Sequence, residues 1–448
     1  MFAYVQNLLY LCSGFDERKC VYPQNISTQQ NQFLYNQMIT RQKYLDALIA
    51  AMGNDMIKVV TGLRRVGKSY LLFHIFYDYL KSTGVDDGHI IRIDLEPRRN
   101  KWLRDPDALL NHIDAQLQDD AQYYVLIDEI QHVPEFEDVL NSYLDMPNVD
   151  VYVTGSNAKF LSKDVLTIFR GRGEEIRVQP LSFAEYCQVC GKEPNEALLR
   201  DYLIYGGLPR TALYETEMQK KKYLRDLFNN TYLVDIKERN HLSNDSDMKE
   251  LVDVVASNIG CLTNSVKLQN TFKSIKKSSI SYNTIDSYLD MLEDAFLIEH
   301  ALRYDIKGKK YINTPKKYYF MDLGLRNARL GFRQNEWTHL MENLIYLELV
   351  HRGYSVDVGN VEYNTTIDGK NVRLQLEVDF VCNRNEERLY IQSAYALPDE
   401  EKVEQELRPL RLIKDNFQKI VIVGGLIPTH KTEDGILMYN IIDFLLEK

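Results

Sequence analysis

Apolar and polar positions along the chain follow two alternating periods. Short apolar runs of strand length stand at 56–61, 90–95, 123–128, 149–154 and 174–178, and stretches with apolar residues three and four apart lie between them. Strands alternating with helices predict βαβ units and a mainly parallel sheet, with any ligand at the carboxyl edge of its strands. Upstream, Met38 opens a helical pattern marked by Tyr44, Leu45, Leu48 and Ile49, whereas residues 1–37 show few periodic signals and a Gln/Asn-rich patch from Gln24 to Gln37. That leader is expected to be disordered, or to follow from an upstream mis-assigned start with Met38 the natural first residue.

Past Pro180 the period turns helical. Ala197 to Tyr205 leads into Gly206-Gly207-Leu208-Pro209, and a long charged helix runs from Glu217 to about Asn240. Together these predict a helical lid or hinge over 181–242. Three short helical patterns over 247–300 precede the runs Ala295–Ile298, Leu302–Asp305 and Lys316–Phe320, which read as short strands around the basic turn Lys307-Gly308-Lys309-Lys310. Helices followed by a β-hairpin predict a winged helix over 243–333. In the last stretch, 334–448, a helix at Met341–Leu349 precedes strands near 354–358, 373–382, 388–394 and 419–424. That order resembles a nuclease-type α/β core in which Glu342, Glu377 and Asp379 would gather Mg²⁺. Such a site also needs an acid and a lysine on the next strand, where this chain has Gln392 and Ala394. The tail is therefore expected to be catalytically inactive.

The most informative chemistry lies directly after the first strand. Gly62-Leu63-Arg64-Arg65-Val66-Gly67-Lys68-Ser69 fits G-x-x-x-x-G-K-[ST] between a buried strand and a helical run from Tyr70 to Phe76. Two glycines let the backbone fold around a phosphate, with successive N–H groups and a helix N-terminus facing the anion. Lys68 is then placed to reach the β- and γ-phosphates, and Ser69 to ligate Mg²⁺. A second apolar strand ends in Asp128 and Glu129. Asp128 is the expected water-mediated holder of Mg²⁺ and Glu129 the group that polarises the attacking water. A third strand runs into Gly155-Ser156-Asn157, small polar residues suited to sensing a γ-phosphate or the lytic water, although the same triplet is ordinary turn chemistry. ATP and GTP both fit this pattern.

Composition narrows the partners. With 448 residues the chain is long enough for two to four domains. A net charge of −10 argues against a uniformly basic nucleic-acid binder, so any DNA contact must be local. The local candidate is the turn with Lys307, Lys309 and Lys310, together with Lys316 and Lys317, for which the alternative is a solvated hairpin edge. No apolar run approaches the ~20 residues of a membrane span, which points to the cytoplasm. Six scattered cysteines suit reduced thiols, and Cys187-Gln188-Val189-Cys190 lacks the second pair of a zinc site.

The segments Gly62–Ser69, Val125–Glu129, Thr154–Asn157, Gly171-Arg172, Pro180–Glu185 and Tyr205–Pro209 together resemble a widespread prokaryotic AAA+-type ATPase family with a C-terminal domain of unknown function. Tyr288–Ile298 and Tyr319–Ala328 look like its winged-helix part. The resemblance runs from about residue 38 to the end. It implies an α/β P-loop core over 38–180 with strand order 5-1-4-3-2, a helical lid, a winged helix and a restriction-endonuclease-like tail. It also implies Asn157 or Ser156 as a sensor, Pro209 near adenine, and Arg172 on the γ-phosphate, from a neighbouring subunit if the protein forms an oligomer, with Arg170 as competitor. The function so implied is Mg²⁺-dependent ATP hydrolysis that moves the winged helix and tail against DNA or a protein partner. The alternative is an ATP-regulated DNA nuclease.

Overall fold

The computed structural model describes residues 39, 41–155, 169, 171–242, 246–276, 280–367, 370–425 and 427–447. The expected leader, the Ser156-Asn157 pair and Arg170 lie outside them. Everything described beyond Ile39 belongs to one unit.

Helix α1 (Gln42–Ala50) precedes strand β1 (Ile57–Thr61), and residues 68–82 form α2, whose turn Leu71–Phe76 is π-helical. Strands β2 (Ile90–Asp94), β3 (Tyr123–Asp128), β4 (Val149–Thr154) and β5 (Gly173–Arg177) follow. All pair in parallel in the order β2-β3-β4-β1-β5, which is the expected 5-1-4-3-2. The three inner strands are buried along their whole length, as a sheet covered on both faces requires, and for that reason they read as continuous rather than alternating apolar runs. Val59, Val125, Ile127 and Val153 form the centre of that core. Parallel pairing sends the carboxyl ends of all five strands to one edge, where the loop 62–67 lies.

The stretch expected to be a lid comprises α3 (Phe183–Cys190), α4 (Glu196–Tyr205), the short α5 (Pro209–Ala212) and α6, which runs from 217 to 239. Helix α3 starts at a capping box in which Ser182 and Glu185 satisfy each other's backbone N–H groups. Three helices, α7 (Ser246–Ser257), α8 (Ser265–Lys276) and α9 (Tyr282–Asp294), precede the hairpin β6 (Ile298–Asp305) and β7 (Lys310–Phe320). After α10 (Leu323–Arg329) and α11 (Trp337–His351) come β8 (Ser355–Ile367), β9 (Lys370–Arg384), β10 (Glu387–Ala394) and β11 (Gln418–Val423).

The hairpin does not stand apart from the tail. β6 pairs in parallel with β8 through Arg303↔Val358 and Asp305↔Asn360, so both belong to one eight-stranded sheet. Helix α11 is buried over most of its length, and its Asn343 side chain satisfies both the N–H and the C=O of Phe320 at the end of β7, each at 2.9 Å.

Candidate nucleotide site

The loop after β1 has the backbone that its glycines predict. Gly62 lies at φ +132°, and a Cβ there would meet the Val178 carbonyl oxygen at 2.1 Å, so no other residue fits. Gly67 at φ +100° turns the chain into α2. Leu63 and Val66 are buried and fasten the loop to the core, while Arg65 is exposed at φ +69°. Lys68 is buried, and its ammonium donates to the carbonyls of Gly62 at 2.9 Å and Leu63 at 3.1 Å. It thus caps its own loop where phosphate oxygens would compete for the same protons.

Below the loop the strand ends converge. Asp128 at the end of β3 is 4% exposed, and burial pushes its carboxyl up to about 6 against the pull of hydrogen bonds from Thr154 and Ser69. Thr154 at the end of β4 donates to Asp128 Oδ1 and accepts from the Glu129 N–H at 2.9 Å, so one hydroxyl orders both acids. Asp94, at the end of β2, lies opposite Asp128 in register. Glu129 sits at φ 56°, and its carboxylate accepts from Gln131 Nε2. Neither Thr154 nor Gln131 was marked by the motif. Their positions, one at a strand end beside Asp128 and one two residues past Glu129, were the available signals.

Helix α6 also reaches the loop. Tyr232 on α6 donates to the Arg64 carbonyl at 2.7 Å, and Asp235 one turn later accepts from Arg64 Nη1. Pro209 opens α5, half-buried, after a turn whose Gly207 N–H donates to Asp322 Oδ2 at 2.8 Å. Asp322 also accepts from Leu325 N–H at 2.9 Å, capping α10. It is 1% exposed, and burial pushes its carboxyl up to about 6. One residue on α10, Asn327, donates to the Leu203 and Ile204 carbonyls at the end of α4.

Two expected site residues stand elsewhere. Arg172 lies at the amino end of β5, next to the Gly173 that pairs with Ile57, whereas the loop leaves the far end of β1. Five residues of strand separate them, roughly 16 Å. Arg172 is 45% exposed and pairs with Asp145 at 3.2 Å, so it does not serve the phosphate of its own chain. Lys317, expected among the phosphate-facing lysines of the hairpin, is 2% exposed. The strand alternation of β7 turns it inward, where its ammonium lies 2.8 Å from Glu342 Oε1, 2.7 Å from Glu377 Oε1 and 3.8 Å from Asp379 Oδ1. Lys307, Lys309 and Lys310 are exposed, and Lys316 is half-buried. Ala394 is buried in the apolar core of the tail, and burial raises the thiol of Cys187 to about 11, so Cys187 is inert at neutral pH.

The donors beneath the loop suit Mg²⁺. They are oxygen-only, a Ser69 hydroxyl that would ligate the ion and, hydrogen-bonded to it, an Asp128 carboxylate that would hold it through water. Among the described residues no group of three or more His, Cys, Asp or Glu side chains forms a metal cage.

A family described as an AAA domain matches residues 54–187, and one described as a domain of unknown function matches residues 196–336. Among solved structures the chain is similar to the Aeropyrum pernix ORC1 protein in complex with DNA, at 12% identity over 65% of this chain and 92% of that one. The TM-score is 0.30, too slight to bear on function. An uncharacterized protein of Methanocaldococcus jannaschii is 30% identical over 81% of this chain and 79% of its own length. An uncharacterized protein of Haemophilus influenzae is 35% identical over 92% of this chain and 99% of its own length. At that identity and coverage the chain belongs to the same family as the Haemophilus influenzae protein, and within it carries an AAA+ P-loop ATPase domain.

Proposed function

We propose that the protein hydrolyses ATP with Mg²⁺ and uses the cycle to move its lid against the sheet that carries the basic hairpin, acting on DNA or a protein partner. The observation that carries this reading is the convergence of Lys68, Ser69, Asp128, Thr154 and Glu129 on one strand edge under a glycine loop. Mg²⁺, held by Ser69 and Asp128, would supply positive charge to the β- and γ-oxygens. Lys68 exchanges two carbonyl partners for phosphate oxygens, and the loop N–H groups cradle the anion. Glu129, released from Gln131, accepts a proton from the attacking water.

The remaining assignments rest on the resemblance and on position. Asn157 or Ser156 would sense the γ-phosphate, and Pro209 would pack near adenine. Arg172 would act only from a neighbouring subunit, where its exposure lets it meet a second nucleotide. The stretch 243–333 is read as a winged helix fused to a nuclease-like tail, a fold kept for binding.

Lys68→Ala is expected to abolish binding of a fluorescent ATP analogue. Glu129→Gln is expected to keep binding while turnover falls by roughly 10²–10⁴-fold, the usual share of a general base. Unchanged turnover in that variant would remove Glu129 as the base.

A further inference from the structure

We infer that the Lys317 ammonium takes the place of a divalent cation in the carboxylate cluster of the tail, so that Glu342, Glu377 and Asp379 form a closed ionic latch and not a metal site. The three acids come from α11 and β9, and the lysine enters from β7, so the cation is supplied by the hairpin next door. Separations of 2.7 and 2.8 Å are those of an ammonium donating to carboxylates. A Mg²⁺ ion would stand 2.0–2.1 Å from the same oxygens and cannot share the space with Nζ.

The cluster is also braced against rearrangement. Tyr319, two residues along β7 from Lys317, donates its hydroxyl to Glu342 Oε1 at 2.8 Å, and Ser393 N–H donates to Asp379 Oδ2 at 2.8 Å. On β10 the positions that would complete a hydrolytic site hold other chemistry. Gln392 accepts from the Asp379 N–H at 3.3 Å, and Ala394 is buried among apolar side chains. An internal monovalent cation therefore offsets part of the charge of a carboxylate cluster that would otherwise call for a metal, and burial beside Glu342 pushes the Asp379 carboxyl up to about 8. The Lys317 ammonium also ties the hairpin to the helix and strand beneath it without any dependence on metal supply. The latch would stand whether or not the loop at Gly62 hydrolyses ATP.

Equilibrium Mn²⁺ binding to the full chain without nucleotide, read by electron paramagnetic resonance, tests it. Wild type and Asp379→Asn are expected to bind the same number of Mn²⁺ ions. One ion more in wild type overturns the inference. Lys317→Ala is expected to gain one Mn²⁺ per chain and to lose it again in Lys317→Ala/Asp379→Asn, with Mn²⁺ raising the Tm of the single variant only. A folded Lys317→Ala that gains no ion also overturns it. Should that variant fail to fold, the comparison of wild type with Asp379→Asn decides alone.

Discussion

Glu129 occupies a left-handed backbone position at the end of a buried strand, a conformation that costs a non-glycine residue roughly 1–2 kcal/mol. The Thr154 hydroxyl and the Gln131 amide hold it there, and the same hydroxyl aims Asp128. Thr154→Val keeps the shape of the side chain and removes both hydrogen bonds. It is expected to lower stability by about 1–3 kcal/mol, measured by denaturant unfolding, and to reduce ATP turnover while leaving nucleotide binding nearly intact. At this scale the glycine loop and the two acids were legible because their chemistry is local, written in eight consecutive residues and one strand end. Thr154 was not, because its role depends on β4 lying beside β3. Lys317 was misread for the same reason. A lysine near a basic turn reads as solvent-facing until the partner at Glu342, 25 residues on, is seen to face it.

Among elements, the parallel sheet and its order followed from runs of apolar residues and the resemblance, while the sharing of one sheet by hairpin and tail had no signature in the chain. α10 ties together the turn before α5, the end of α4 and helix α7. Asp322 at its start holds the turn before Pro209, Asn327 holds the end of α4, and Arg329 pairs with Asp253 on α7 at 2.6 Å. Burial raises Asp322 above its unfolded value, so ionising it penalises the folded state. Stability from this group is greatest below about pH 4, falls as pH rises to about 6, and is level above that, a change of about 3 kcal/mol. Asp322→Asn sets an amide N–H against backbone N–H donors and removes this titration. Relative to that variant, wild type is expected to gain stability as pH falls from 6 to 4, measured by urea unfolding at each pH.

Taken as a whole, the molecule is acidic, with a net charge of −10, so any contact with DNA would be local, and the exposed turn at Lys307, Lys309 and Lys310 is the surface proposed for it. Replacing all three by Glu is expected to leave ATP turnover unchanged and to flatten the salt dependence of DNA binding by roughly 0.9 logarithmic units for each phosphate no longer neutralised. An identical salt slope would send the search to protein partners. In the proposed cycle two contacts would carry movement at the nucleotide towards that turn. Arg64 joins the loop to α6, and Arg177 on β5 joins the parallel sheet to Glu299 on β6 at 3.3 Å. The register of β6 against β8 has another consequence, for biosynthesis. Arg303 must wait for Val358, about 55 residues later, before its strand edge is covered. On the ribosome the hairpin emerges with one side open, and the chain is most exposed to mispairing with its neighbours while the tail is still being made.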